Sequence, residues 1–229
     1  LVGTTLLNEN SGTTSTSVTA ELSAISGREV TVFLSRGGDA TESSDYTLVT
    51  SVTIPAGQKT GTILLNALGD LLDEFNETVI IDIIGVTNGE EFSTQRQTVT
   101  ISDDDAIPTV SLTTGNSVIQ ENVGETSTSV TVTLSALSGK EVTVTLIKGG
   151  VATDGTDYTL SGTVIKIPAT LFTASGILSG SVTLTAIGDD LNESDETIVI
   201  DISSIINATE KDNFQQRTVA IANDDSLPL

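Results

Sequence analysis

Segments of this chain recur 112 residues apart, and a fold built from it must accommodate two like units. Asn10-Ser-Gly-Thr-Thr-Ser-Thr-Ser-Val-Thr19 returns as Asn122-Val-Gly-Glu-Thr-Ser-Thr-Ser-Val-Thr131, and Ser26-Gly-Arg-Glu-Val-Thr-Val32 as Ser138-Gly-Lys-Glu-Val-Thr-Val144. Asp45-Tyr-Thr-Leu48 returns as Asp157-Tyr-Thr-Leu160, and Ile54-Pro-Ala as Ile167-Pro-Ala. After a small insertion, Glu77-Thr78 matches Glu196-Thr197, and Thr98-Val-Thr-Ile-Ser-Asp-Asp-Asp105 matches Thr218-Val-Ala-Ile-Ala-Asn-Asp-Asp225. The join lies at Ala106-Ile-Pro-Thr109, so residues 1–107 read as repeat 1 and 108–225 as repeat 2. Leu1 aligns with Thr113, which leaves repeat 1 without a counterpart of Val110-Ser-Leu112 and its first strand cut short. The tail 226–229 aligns with 106–109 and reads as the start of a linker to a further repeat, so a longer array is expected in the parent protein.

Within each repeat the apolar residues alternate with polar ones, the period of a half-buried strand. Val130-Thr-Val-Thr-Leu134 and Val142-Thr-Val-Thr-Leu146 set Val and Leu on one face and Thr on the other. Val182-Thr-Leu-Thr-Ala-Ile187, Ile198-Val-Ile-Asp-Ile202 and Thr218-Val-Ala-Ile221 continue the pattern, Val110–Leu112 opens the unit, and Tyr158–Ile167 supplies another extended segment. Thr and Val suit a pleated surface, and no stretch holds a helical period. The expectation is all-β: two tandem immunoglobulin-like antiparallel β-sandwiches of about seven strands each. Units of this length bury an adequate core without disulfides.

Between the fifth and sixth strands of each repeat lies an acidic run, Gly69-Asp-Leu-Leu-Asp-Glu-Phe-Asn-Glu-Thr78 and Gly188-Asp-Asp-Leu-Asn-Glu-Ser-Asp-Glu-Thr197. If the seven strands reverse direction in turn, the first, third and fifth turns and the segment after the last strand share one pole. Those four places hold Glu121, then Asp157 with Asp154, then Asp189, Asp190, Glu193, Asp195 and Glu196, and finally Asp224 and Asp225. Repeat 1 sorts Glu9, Asp45, Asp70, Asp73, Glu74, Glu77, Asp103, Asp104 and Asp105 the same way. The other pole, with Ser138-Gly-Lys-Glu141 and Pro168–Gly176, is much less acidic. Carboxylates at this density raise one another's pKa by repulsion. A hard cation removes that cost, and calcium, which accepts about six to eight oxygens in irregular geometry, fits better than octahedral magnesium.

Composition narrows the alternatives. A net charge of −22 with nine basic residues excludes nucleic acid as a partner, since phosphate contacts need clustered Lys and Arg. Cys, His, Met and Trp are absent, which removes disulfides, thiol nucleophiles, the usual zinc and copper ligands and the commonest general base. No apolar run approaches the roughly 20 residues of a membrane span, so this segment does not insert directly into a membrane. The Thr/Ser/Val-rich, aromatic-poor, acidic composition resembles that of exported bacterial repeat proteins.

Four motifs in a fixed order carry a family resemblance: Glu9-Asn-Ser-Gly12 and Glu121-Asn-Val-Gly124, the Gly-Gly-x-Ala-Thr…Asp-Tyr stretches Gly37–Tyr46 and Gly149–Tyr158, the acidic run, and the terminal Asp run. In these the chain resembles tandem Calx-β domains, known from regulatory segments of sodium/calcium exchangers, an integrin β-subunit tail and large bacterial surface or secreted proteins. The resemblance implies Ca2+ clustered at one end of each sandwich. Its ligands in repeat 1 would be Glu9, Asp45, Asp70, Glu74, Glu77, Asp103, Asp104 and Asp105, with the Leu72 carbonyl. In repeat 2 they would be Glu121, Asp157, Asp189, Glu193, Glu196, Asp224 and Asp225, with the Leu191 carbonyl. Two departures stand out. Gly69 and Gly188 occupy a place where calcium-binding members often carry Asp, and Asn223 replaces the counterpart of Asp103, which implies fewer or weaker ions in repeat 2.

Catalysis fits poorly: paired carboxylates that cleave glycosides need a cleft and a stacking aromatic, whereas here the acids crowd a domain tip. An EF-hand fails because Asp190-Leu-Asn-Glu-Ser-Asp195 lacks the turn glycine and leads into a strand. The expectation is therefore a calcium-binding structural or adhesive module of an extracellular or cell-surface array, partnered by calcium and by neighbouring repeats. In it, calcium at Asp103–Asp105 would stiffen the junction at 106–109. An adhesive parent implies a cell-surface protein or glycan partner, which no motif specifies. The alternative is a calcium-sensing regulatory domain on the cytoplasmic side of a membrane transporter or signalling protein.

Overall fold

The computed structural model describes residues 1–12, 14–124, 126–170, 176–213 and 215–227. Part of the acid-poor stretch Pro168–Gly176 and part of the 226–229 linker, namely 171–175 and 228–229, therefore lie outside the described residues. The chain divides into two compact units, Leu1–Ala106 and Ile107–Leu229.

Unit 1 holds β1 (Leu6–Asn8), β2 (Ser15–Glu21), β3 (Val30–Gly38), β4 (Tyr46–Leu48), β5 (Ser51–Ile54), β6 (Thr60–Ala67), β7 (Glu77–Thr87) and β8 (Gln97–Ser102). They form a five-stranded sheet in the order β1-β8-β7-β3-β5 and a three-stranded sheet β2-β6-β4. Alternate residues from both sheets fill one core, among them Leu7, Val30, Ile54, Val79 and Val99 from the first and Val18, Leu65 and Tyr46 from the second. The side chains between them face outward as Thr and Ser, which is what the period-two pattern requires.

Unit 2 holds β9 (Thr109–Thr114), β10 (Val118–Gln120), β11 (Ser127–Leu134), β12 (Val142–Gly150), β13 (Tyr158–Leu160), β14 (Val164–Ile167), β15 (Ser179–Ala186), β16 (Glu196–Ile206), β17 (Thr209–Glu210) and β18 (Arg217–Ala222), with a 3-10 turn at Lys211–Asn213. Its sheets run β10-β18-β16-β12-β14 and β13-β15-β11-β9-β17. The all-β sandwich is therefore present in each unit, and its seven strand positions are filled by more than seven strands. The first position is shared between sheets: β9 pairs antiparallel with β11, and β10 crosses over to pair parallel with β18. The fourth divides likewise into β13 on β15 and β14 on β12. Such crossings close the ends of the sandwich and spare each sheet one open edge.

Every other main pairing is antiparallel, β11 with β15, β12 with β16 and β16 with β18. Together these directions require each strand position to reverse the one before it, so the acid-bearing turns share one pole of the unit. A glycine at the end of β3 and β12 makes one of those turns feasible. Gly38 and Gly150 sit at φ 106° and 107°, and a Cβ there would lie 2.0 and 2.1 Å from the carbonyl oxygens of Thr78 and Thr197. Only glycine tolerates both the left-handed backbone and the approach. The chain then turns into the loop that carries Asp45 or Asp157, each anchored by the next residue, the buried Tyr46 or Tyr158. No helix among the described residues is long and apolar enough to cross a membrane.

Candidate metal centre

In unit 1 the pole assembles from four segments, of which the loop before β4 brings Asp45. Glu9 follows β1, Asp70 and Glu74 stand in the β6–β7 loop, and Asp103 and Asp105 follow β8. Carboxylate oxygens of Glu9, Asp70 and Glu74 lie within 4.8 Å of one another, as do those of Glu9, Asp103 and Asp105. Glu9 belongs to both groups and is only 7% exposed. Burial, and then the charges of Asp70, Asp103, Glu74 and Asp105, push its pKa up to about 7. Burial followed by Asp70, Asp45, Asp103 and Asp105 does the same for Glu74, up to about 7. Glu77, at the start of β7, is pushed up to about 8 by burial and by a hydrogen bond shared with Asp45.

Unit 2 repeats the arrangement with fewer acids. Oxygens of Glu121, Asp189 and Asp225 lie within 4.8 Å of one another. A hollow of about 10 Å³, room for one water-sized occupant, is lined by Glu121, Asp157, Glu193, Glu196 and Asn223 among others. Glu196 is raised by burial and by its hydrogen bond with Asp157, and Glu121 by burial. Asn223 stands where unit 1 has Asp103, and its carboxamide oxygen accepts from Glu193 N at 3.3 Å just as Asp103 accepts from Glu74 N at 3.2 Å. The hydrogen bond is kept and one charge is lost.

Two of the expected ligand residues have another employment. Asp104 is exposed and accepts from Ser11 Oγ at 2.6 Å and from Asn10 N at 3.3 Å, which pins the turn after β1 and lowers its pKa. Asp224 accepts from Val123 N at 2.8 Å and Asn122 N at 3.3 Å in the same way. Leu72 and Leu191 enter through their N–H groups, which donate to Asp70 Oδ1 at 2.7 Å and Asp189 Oδ1 at 2.6 Å. Each closes a tight local turn that aims the carboxylate. Asp154, expected at this pole, forms an ion pair with Lys148.

Four further polar side chains organise the two sites. Asn10 Nδ2 donates to the Asp70 carbonyl at 3.3 Å and to Asp105 Oδ2 at 3.2 Å, and Asn122 Nδ2 to the Asp189 carbonyl at 2.8 Å and Asp224 Oδ1 at 3.1 Å. Asn76 Oδ1 accepts from Asp103 N at 3.2 Å, a place taken in unit 2 by Asp195 Oδ1 on Asn223 N at 3.1 Å. The Asn carboxamide also accounts for the glycine that opens each acidic run. A Cβ on Gly69 would lie 1.8 Å from Asn10 Oδ1, and one on Gly188 lies 1.7 Å from Asn122 Oδ1. The Glu-Asn pair in the first turn and the glycine in the fifth are one steric unit. The pair Glu9-Asn10 was visible in the sequence, but its contact 59 residues away at Gly69 was not.

The donors present suit a hard divalent cation. In the three acidic trios they are carboxylate oxygens throughout. In unit 2 Asp225 Oδ2 is buried with no hydrogen-bond partner. An anionic oxygen left so is costly unless something positive meets it.

A family model for the Calx-beta domain matches residues 2–105 and again residues 103–225. The chain belongs to the Calx-beta family. No curated protein matches it. Among solved structures, calcium binding domain CBD12 of CALX1.1 shares 16% identity at a TM-score of 0.40, over 90% of this chain and 79% of that one. CBD12 from CALX1.2 gives 16% and 0.39 over 89% and 78%, and the Pseudomonas aeruginosa CupB2 chaperone 8% and 0.29 over 97% and 100%. At that level of likeness the assignment rests on the family match. The tandem Calx-beta sandwiches place their acidic clusters where the strand directions require them.

Proposed function

We propose that the chain is a calcium-binding structural and adhesive module, with calcium held at the acidic pole of each Calx-beta sandwich. The observation that carries this is the double membership of Glu9. One nearly buried carboxylate belongs to two overlapping acidic trios, with a pKa near 7 caused by burial and by four like charges. Glu9, Asp70, Glu74, Asp103 and Asp105 would hold the ions of unit 1, and Glu121, Asp189 and Asp225 those of unit 2. Asp45 with Glu77, and Asp157 with Glu196, complete the oxygen set. The cation supplies positive charge and no reaction chemistry, so the module binds and does not catalyse.

Asp103 and Asp105 close unit 1, and unit 2 begins at Ile107. An ion held by those two residues restrains the few residues between the units, which makes calcium a stiffener of an extracellular repeat array. The test is small-angle scattering of the chain with calcium and with chelator. A stiffener predicts a narrower spread of inter-unit distances with calcium, and identical profiles refute it. Affinity bears on the setting: structural extracellular modules bind near 10⁻⁴–10⁻³ M and sensors near 10⁻⁷–10⁻⁵ M.

A further inference from the structure

We infer that the parallel pair β10–β18 is a mechanical clamp, which lets the unit bear tension drawn along the chain. Load-bearing is a further function; it rests on the structural role proposed above and on no bound ion. Strand direction decides it. β10 lies parallel to β18, with Val118 beside Ala220, Ile119 beside Ile221 and Gln120 beside Ala222. The chain enters β10 from the side of the acid-poor pole and leaves β18 at the acidic pole. Tension therefore draws β10 back toward its own start and β18 onward toward its own end. Parallel strands drawn in this way slide past one another, and the evenly spaced bonds between them are strained together. Strands pulled apart at a shared end lose their bonds one at a time.

The pair is fastened along its whole length. Ala220 N donates to Ser117 O at 2.9 Å before the paired residues, and Glu121 N to Ala222 O at 3.2 Å after them. Between these bonds Ile119 is fully buried, so sliding would also drag an apolar side chain through a close-packed core. Past the strands, Asp224 accepts from Asn122 N at 3.3 Å, Val123 N at 2.8 Å and Asn122 Nδ2 at 3.1 Å, which ties the exit of β10 to the exit of β18. Unit 1 keeps the design in β1 and β8, which pair in parallel around the fully buried Leu7. There Thr100 N donates to Thr5 O at 2.8 Å and Glu9 N to Ser102 O at 3.1 Å. The acidic pole stands at the fastened end. Glu121 follows β10 and Asp225 follows β18, with carboxylate oxygens within 4.8 Å of each other, so an ion shared by them would reinforce the clamp.

The sequence has no Cys, so a pair of introduced thiols fixes where force is applied to the full chain. Asn116→Cys with Leu227→Cys holds β10 by its start and β18 beyond its end. Val123→Cys with Leu227→Cys takes β10 out of the load path and peels β18 from its end. All three positions are exposed. Single-molecule unfolding at one loading rate reports the unfolding barrier in each geometry. In chelator the 116–227 handles should need roughly twice the force of the 123–227 handles or more, and calcium should raise the 116–227 force further. Equal forces in the two geometries, or a weaker hold at 116–227, overturn the inference. Ile119→Ala should lower the 116–227 force more than the 123–227 force, and equal lowering overturns it too by assigning the resistance to the core at large. A difference present in chelator and unmoved by calcium upholds the clamp and contradicts calcium at the pole of unit 2.

Discussion

Alternation along an extended chain separates residues that look equivalent in a run of acids. In Asp103-Asp-Asp105 the first and third carboxylates join Glu9 and the middle one turns away to hold the Ser11 turn. Asn223-Asp-Asp225 keeps the same spacing, so the Asp-to-Asn difference in this run falls on an inward position. The pKa values of the inward glutamates then dictate how protons and cations compete. Glu9 and Glu74 lie near 7 and Glu77 near 8, against an ordinary value of 4.5. A folded pKa above the unfolded one favours the protonated form. Its contribution to stability is complete below about pH 4.5 and is lost as pH rises through 7 and 8. The chelated chain is therefore expected to lose stability between pH 5 and pH 8, as checked by urea unfolding. Calcium must displace those protons, so binding heats at pH 7 should depend on the ionisation enthalpy of the buffer and lose that dependence near pH 9.5 (about 1.5 units above the highest value). Heats independent of buffer at pH 7 would contradict the assignment.

Also at this scale, Glu9→Gln removes the carboxylate common to both trios. It should stabilise the chelated chain and abolish the calcium-induced rise in the melting temperature of unit 1. Asp104→Asn should leave much of that rise in place, because its carboxylate serves the turn. A similar loss of calcium response in both variants would contradict the division of labour between Asp104 and its neighbours.

Elements explain why the pole exists. The period-two pattern made the strands and their inward faces legible, and turn parity followed from them. The sheet changes within the first and fourth strands were not legible, because each half keeps the same alternation while its hydrogen-bond partner changes. Asn10 and Gly69 were likewise opaque, since a steric pair across two turns leaves no local signature in either. The glycines at the ends of β3 and β12 are where an element admits least variation. Gly150→Ala forces a left-handed residue against the Thr197 carbonyl. It should cost about 1–3 kcal/mol in urea unfolding of unit 2, and a loss below measurement error would contradict the strain.

At the level of the whole molecule, duplication was the strongest signal in the sequence, and the two family matches bear it out. The repeats differ where function is expected to differ: five carboxylates share the Glu9 cluster and three the Glu121 cluster. Unit 1 should accordingly bind calcium more tightly, and Asn223→Asp should narrow the gap. The most direct test of the central claim is calorimetric titration of the chelator-stripped chain with calcium. The account predicts saturable binding in two classes, the tighter of which disappears in Glu9→Gln while the weaker survives. Absence of binding at millimolar calcium, or a titration unaltered by Glu9→Gln, would contradict it.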